Sequence, residues 1–341
     1  MMKVSVVILN WNGKEMLERF LPSVCRFSSG DGVEVVVADN ASDDGSADFV
    51  RANFPEVRLI VLDENYGFAE GYNRALKQVD AEYVVLLNSD VEVTENWLLP
   101  MVDFLDANRD VAACQPKIRS FASPELFEHA GACGGFIDRF GYPFCRGRIF
   151  DSVEKDEGQY DSVTDLFWAT GAALCIRKEV FDGAGGLDAG FFAHMEEIDL
   201  CWRLRARGFR IVCVPQCVVF HVGGGTLNVQ NPRKTFLNFR NNLLMIYKNE
   251  PEESLNMVMT ARFFMDYLAA AVFLLKGETD NFKAVLSARK EFGKLKGAYE
   301  EKRKENLRNA VGGRVGEIYR RSIVLDFNVG GKDRFSMLNF D

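Results

Sequence analysis

Four times within its first ninety residues the chain runs through a string of β-branched and aliphatic residues, stops at a polar tip, and continues into a helix-length amphipathic stretch. The strings are "VSVVILN" (Val4 to Asn10), "VEVVVADN" (Val33 to Asn40), "VRLIVLD" (Val57 to Asp63) and "EYVVLLN" (Glu82 to Asn88). Strands apolar on both faces need cover on both, and parallel neighbours need crossovers that helices of about ten to fourteen residues supply. "KEMLERFLPSVCRF", "GFAEGYNRALKQV" and "NWLLPMVDFLDAN" are such helices, and "VAACQPKI" adds another strand. The pattern predicts an α/β domain with a doubly wound, mostly parallel central sheet.

The alternation dissolves between about Arg119 and Asp161, a stretch too long for a plain loop and read as an acceptor-side insertion. Order returns with "TDLFWATGAALCIRKEVF", the turn "DGAGGLD", the helix "EEIDLCWRLRARG" and the strands "FRIVCVP" and "CVVFHV". From Gly225 onwards the composition turns helical, so residues 1–230 are expected to form the core domain and 231–341 a helical C-terminal extension. A length of 341 residues suits one large domain with an appendage.

A net charge of −8 argues against a general nucleic-acid binder, because such affinity rests on Lys and Arg neutralising phosphates. The eight cysteines show no CxxC or metal-finger spacing, and Cys114, Cys175, Cys201 and Cys213 sit in apolar segments as small core residues. Reduced, buried thiols imply a cytoplasmic protein. The apolar start "MMKVSVVILNWNG" is too short for a signal peptide and is interrupted by Asn10 and Asn12. "RFFMDYLAAAVFLL" (Arg262 to Leu275) carries Asp266 and falls short of the ~18 apolar residues of a spanning helix, so it is expected to lie on a membrane at most. Basic residues around it (Arg262, Lys276, Lys283, Arg289, Lys290, Lys294, Lys296) suit either an anionic bilayer or a solvated, oligomer-contacting face.

In a parallel α/β sheet, ligands gather beyond the carboxyl ends of the strands. Asn10-Trp11-Asn12, Asp39-Asn40, Asn65 and Asn88-Ser89-Asp90 all fall at such ends and are expected on one rim. Asn, Asp and Ser also cap helices and make turns, and for any one cluster that explanation competes. "NWNGKEM" lacks the glycine fingerprint of a dinucleotide site, and no P-loop occurs. A nucleotide base at Asp39 fits instead, because a carboxylate accepts the imino N–H of uracil or thymine. A diphosphate then calls for a divalent cation, Mn²⁺ or Mg²⁺, with Asp90 as an oxygen ligand and His221, ahead of Gly223-Gly224-Gly225, as a nitrogen ligand. In "FFAHMEEIDLCWRLRARGF", Glu196, Glu197 and Asp199 open a helix that ends on arginines, the charge order its dipole favours, with Asp199 and Arg203 one turn apart. Crowding and partial burial of three acids raise a carboxyl pKa, as a general base requires.

Taken together, "SVVILNWNG", "VVVADNASDDGS", "NYGFAEGYN", "LLNSD", "GAALCIRKEVF", "GGLDAGFFAHMEEIDLCWRLRARG" and "FHVGGGT" resemble family 2 glycosyltransferases of the GT-A fold, in the bacterial rhamnosyltransferase-like branch, over residues 3 to 245. The resemblance implies inverting transfer of a sugar from a nucleoside-diphosphate donor to an acceptor hydroxyl. It implies that Leu9, Asn10 and Asp39 hold the base, with Asn12 beside them, and that Asn65, Gly67, Phe68 and Asn73 line the nucleotide side. Asn88-Ser89-Asp90 matches the D-x-D position, His221 a histidine that completes the metal site in some relatives, and Glu196-Glu197 the acidic pair, whose second member is the usual base. Trp168 joins the substrate-binding candidates. Asn88 departs from the first D-x-D carboxylate, and Glu197 carries one methylene more than the usual Asp, which leaves the base open between Glu196 and Glu197. Rival readings are a sugar-nucleotide pyrophosphorylase, for which "NWNGKEML" offers no basic glycine-rich loop, and a catalytically degenerate scaffold, which Asp90, Glu197 and His221 argue against.

Overall fold

The computed structural model of the chain describes residues 1–223, 231–312 and 315–340. Gly224 and Gly225 of the glycine turn, and the domain boundary expected at 230, lie outside the described residues. The first half alternates as the sequence pattern predicts: β1 (Met2–Asn10), α1 (Lys14–Phe27), β2 (Val33–Asp39), α2 (Ser46–Asn53), β3 (Arg58–Val61), α3 (Gly67–Leu76), β4 (Ala81–Asn88), β5 (Val91–Val93), α4 (Leu99–Ala107) and β6 (Val111–Ser120). Next come β7 (Gly135–Asp138), β8 (Pro143–Cys145), β9 (Arg148–Ile149), β10 (Ser152–Val153), β11 (Thr164–Asp165), β12 (Ala173–Arg177), α5 (Lys178–Gly183), α6 (Glu196–Ala206) and β13 (Arg210–His221). The remainder is α7 (Pro232–Asn249), α8 (Glu252–Leu275), α9 (Thr279–Leu295), α10 (Glu300–Asn309), β14 (Ile318–Tyr319) and α11 (Ile323–Asn328).

The main sheet has the order β11-β13-β6-β12-β4-β1-β2-β3, with β5 paired to β13. Strands β4, β1, β2 and β3 run parallel, as their crossover helices require. Beyond them the sheet is mixed, because β12 inserts antiparallel between β4 and β6. Period-two alternation sorts β1 onto two cores: Val4, Val6 and Ile8 pack with Leu17, Leu21 and Val24 of α1, while Val7 packs with Tyr72 of α3 on the other face. Register aligns the polar tips, since Asn10 lies opposite Asp39 and Leu9 opposite Asn88.

The patternless stretch after Arg119 forms a second sheet, β10-β9-β8-β7-β14, whose last strand comes from the C-terminal segment. Phe335 and Phe340 seal it by packing on Phe136 and Phe144. The expected insertion and the expected extension are therefore parts of one packed unit. All eight cysteines are free, and Cys114, Cys175, Cys201 and Cys213 are fully buried.

One expectation needs correcting. Helix α8 has 24 residues and a mean hydropathy of 1.6 over its most apolar window, long and apolar enough by length and composition to cross a membrane, and only 22% of that window is buried in the protein. Arg262 and Asp266 do not interrupt its outer surface, because both turn inward and pair at 3.1 Å.

Candidate active site

The rim of the parallel strands is built from side chains that hold one another. Asp39, 1% exposed at the tip of β2, accepts from Asn10 Nδ2 (3.1 Å) through one oxygen and from the Ser42 N–H (2.9 Å) through the other. Asn12, at φ +50°, accepts from the Asp43 N–H and braces the loop after β1. Asn40, next to Asp39, donates to Asn65 Oδ1 and to the Gly67 carbonyl and accepts from the Tyr66 N–H, so it ties β2 to the start of α3. Asn65 in turn accepts from the Gly67 N–H (2.9 Å), the turn-forming behaviour that competed with a ligand role. Leu9 approaches Gly71 and the Tyr72 hydroxyl, which lies 3.5 Å from its N–H. Phe68 stands edge-on to Tyr72.

Two candidates face inward. Asn73 donates to the Leu187 carbonyl (2.8 Å) and accepts from the Leu187 N–H (2.9 Å), pinning α3 to the "GGLD" turn. Trp168 is 5% exposed, lies against Gly135, and donates its indole N–H to the Phe136 carbonyl (2.9 Å).

At the tip of β4, Asp90 is 9% exposed, and its Oδ1 lies 3.1 Å from His221 Nε2 at the end of β13. Asn88 Nδ2 lies 3.4 Å from the same nitrogen, and Ser89 sits beside Gly13. The other imidazole nitrogen, Nδ1, is 3.3 Å from Glu128 Oε2. Glu128 is itself 5% exposed and accepts from the Ala130 N–H. Burial alone would lower the His221 pKa, but the flanking carboxylates hold it up to about 10. Burial likewise works against ionisation of Asp90 and Glu128, and the bond and charge of His221 hold both below the ordinary carboxylate range. Among the described residues no group of three acidic, histidine or cysteine side chains is arranged to hold a metal ion by itself. Asp90 offers one oxygen to a divalent ion of the kind that takes its other ligands from a diphosphate, and His221 could join it only by releasing the proton that the two flanking carboxylates hold on its ring. Glu128 sits where a second carboxylate orients a ligating imidazole. It lies in the stretch without periodicity, and no sequence signal marks it.

Helix α6 begins on the acidic pair. Glu196 is 4% exposed; burial, then the charge of Glu197, pushes its carboxyl well above the usual value. Glu197 keeps partial access to solvent, yet burial still raises it to about 7. Asp199 is the structural member of the trio: it bonds Arg203 (3.0 Å), Lys248 (2.7 Å) and Asn249 (2.8 Å), which anchors α7 to α6. Gly171 lies against both the Phe68 ring and Glu197, and the neighbouring Ala172 carbonyl accepts from the Asn88 N–H (3.0 Å). The acidic pair and the Asn88-Ser89-Asp90 tip therefore flank one short segment.

The loop before α6 is strained, with Phe192, His194 and Met195 at φ +65°, +71° and +73°. Two elements hold it there. The Phe192 carbonyl accepts from the Phe68 N–H (2.7 Å) and the Ala69 N–H (3.2 Å) at the start of α3, and its ring covers Gly67. From α7, buried Asn241 donates through Nδ2 to the carbonyls of Phe191 (2.9 Å), Ala193 (2.9 Å) and His194 (2.8 Å). Asn241 lies in "TFLNFRNNLLMIYKN", which read only as a helix.

Nine buried side-chain polar atoms lack a hydrogen-bond partner among the described residues; one is His221 Nδ1, which already faces Glu128 at 3.3 Å, and four more belong to Asn10, His194, Glu196 and Glu197. Such atoms mark where a ligand is missing from the hydrogen-bond network. Two cavities of about 530 and 750 Å³ include none of these five, and Asn73 lines the larger. Chemistry, not volume, locates the site.

The family description "Glycosyl transferase family 2" matches residues 5–154. Over that stretch the chain matches family 2 glycosyltransferases, and it is similar to rhamnosyltransferases. The chain is 27% identical over 230 residues to the N-acetylglucosaminyl-diphospho-decaprenol L-rhamnosyltransferase of Mycobacterium tuberculosis, covering 63% of this chain and 75% of that protein. It is 27% identical over 163 residues to rhamnosyltransferase WbbL of Escherichia coli K12, covering 46% and 61%. Among solved structures it superposes on S. aureus TarS with a TM-score of 0.56 at 16% identity, covering 90% of this chain and 89% of that one. GalNAc-T7 with UDP, GalNAc and Mn²⁺ gives a TM-score of 0.59 at 16% identity, covering 85% and 55%. These likenesses establish the GT-A glycosyltransferase fold.

Proposed function

We propose that the glycosyltransferase inverts configuration as it moves a sugar from a nucleoside diphosphate to a hydroxyl of a glycan or lipid-linked acceptor in cell-surface polysaccharide synthesis. The observation that carries this reading is the pairing of a carboxyl raised to about 7 at Glu197 with a carboxylate–imidazole edge at Asp90 and His221, on either side of one segment. A poised base and a diphosphate anchor suit a single displacement with one proton to remove. dTDP-rhamnose is the first donor to test, since the similar proteins in M. tuberculosis and E. coli are named as rhamnosyltransferases, and UDP-sugars are the second.

Asp39, held by Asn10 and Ser42, receives the base's imino N–H. Asp90, with His221 once deprotonated, would hold a divalent cation, and Glu128 would orient the imidazole. When bound, the cation supplies Lewis-acid stabilisation of charge on the leaving diphosphate. Glu197 takes the acceptor proton, while buried Glu196 stays protonated beside it and keeps a second charge out of the pocket. The Asn88 amide leaves the anchor with one carboxylate, so cation affinity depends on Asp90 and its histidine. A cytoplasmic enzyme acting at the inner membrane face fits a lipid-linked acceptor.

The test is a panel of thymidine, uridine and guanosine diphosphate sugars with Mn²⁺, screened by thermal shift and then by nucleotide release. Glu197→Gln is expected to abolish transfer while binding donor normally, and Glu196→Gln to retain part of it. Donor binding without turnover in the wild type would favour the scaffold reading instead.

A further inference from the structure

Helix α8 is built inside out. Between Glu253 and Lys276 its charged residues are Arg262 and Asp266, and both are turned into the protein, 1% and 0% exposed. There Asp266 pairs with Arg262 (3.1 Å) and with Arg289 of α9 (2.5 Å), while the Arg262 guanidinium lies over the Tyr142 ring. The outward face shows Phe264 at 67%, Leu268 at 66% and Leu275 at 87% exposure, with Phe263, Tyr267 and Val272 beside them. Water-facing helices normally place charges outward and apolar side chains inward. A contiguous apolar face of this length marks a contact surface.

The charge next to this face identifies the occupant. Residues 276–296, the turn after α8 and its partner α9, hold six basic and three acidic side chains, and with Arg289 turned inward to Asp266 five basic ones remain, net +2, in a chain whose net charge is −8. Lys283, Lys290 and Lys294 are all exposed along α9, at helical spacing. An apolar helix face bordered by lysines on an otherwise acidic protein complements an anionic bilayer surface. We propose that α8 lies in the interface of an anionic membrane, its aromatic and aliphatic face among the acyl chains and the α9 lysines at the headgroups. Helices α8 and α9 pack on α7, and α7 carries Asn241, which holds the loop leading to Glu196 and Glu197. The docked bilayer then lies one helix layer from the base, a placement that deepens the lipid-linked acceptor reading and rests on it for its purpose.

The experiment floats the full-length protein with vesicles of phosphatidylcholine alone and of phosphatidylcholine mixed with phosphatidylglycerol, without sugar nucleotide. Wild type is expected to float with the anionic vesicles, to be released in part by high salt, and to be extracted by alkaline carbonate. The double variant Phe264→Glu, Leu268→Glu should partition roughly a hundredfold less, about tenfold for each apolar side chain kept out of the bilayer, with nucleotide release in solution unchanged. Lys290→Glu with Lys294→Glu should lose the preference for anionic vesicles. Wild type that hydrolyses donor yet stays with neither vesicle, or a Phe264→Glu, Leu268→Glu variant that floats like wild type, overturns the proposal. Carbonate-resistant wild type overturns it in favour of a spanning helix, and a dimer that the glutamates split, without vesicle binding, in favour of a face between copies. Failure of nucleotide release with flotation intact would instead count against the catalytic reading.

Discussion

Replacing Asn241 separates the positioning of the base from its chemistry. The side chain touches neither the acidic pair nor the rim; it donates to three carbonyls of a loop whose Phe192, His194 and Met195 sit in the left-handed region. Its orientation is fixed, because Arg240 Nε, which can only donate, bonds Asn241 Oδ1 at 2.8 Å. Asn241→Ala removes an amide whose two N–H groups are shared among three carbonyls, a loss of about 2 kcal/mol at about 1 kcal/mol for each N–H. Each left-handed residue stores about 1–3 kcal/mol that the surroundings must hold in place, so the loop relaxes once the amide is gone. A shift of about 1 Å at the base lowers kcat about a hundredfold. Asn241→Asp is nearly isosteric but turns a donor into a charged acceptor facing three carbonyl oxygens, and should be worse than alanine in both stability and kcat. Urea unfolding, steady-state transfer and calorimetric donor titration read the three effects, with donor affinity expected to stay within threefold, roughly the scatter tolerated for a site left intact. An aspartate variant as stable and active as wild type would refute the reasoning. An alanine variant that loses stability at full kcat would reduce Asn241 to a packing role.

Other perturbations test the remaining parts of the site. With Glu197 raised to about 7, transfer should fall about tenfold per pH unit below that value and level off above it, measured as kcat/KM against pH. Because the folded state binds this proton more tightly than the unfolded chain, Glu197 costs stability as pH rises from the ordinary glutamate range through 7. Glu197→Gln should therefore unfold later than wild type at pH 8, by about 3 kcal/mol, and alike at pH 4. Asp90→Ala should weaken Mn²⁺-dependent donor binding by calorimetry at least tenfold, and Glu128→Gln should weaken it about tenfold by freeing the imidazole; unchanged affinity in either variant removes that residue from the anchor. Gly67→Ala would place a methyl 2.5 Å from the Phe192 ring at φ +74°, and a loss of about 2–4 kcal/mol is expected on chemical unfolding.

Local periodicity made the parallel half of the sheet legible, since each β-branched run and each amphipathic helix announces itself over a few residues. The antiparallel insertion of β12 between β4 and β6 was not legible, because strand order is decided by contacts sixty or more residues apart. The polar tips were visible, and register does bring Asn10, Asp39 and Asn88 together. What each tip does was not visible, because Asn serves a turn as readily as a ligand: Asn65 folds its own loop and Asn73 holds Leu187. Glu128 and Asn241 act across more than ninety and forty residues respectively and leave no local trace. Arg262 and Asp266 misled in the opposite direction, since charge in a sequence says nothing about which way it faces.

By accepting from the first peptide groups of α3 while sitting four residues ahead of Glu196, the Phe192 carbonyl welds the nucleotide-side helix to the base-bearing helix α6 in a single beam. A substitution that re-aims one end must re-aim the other. Lineages that change their sugar nucleotide would have to renegotiate their acceptor in the same step, so altered donor choice in this chain should be reached through paired changes on both sides of Phe192 rather than through single ones.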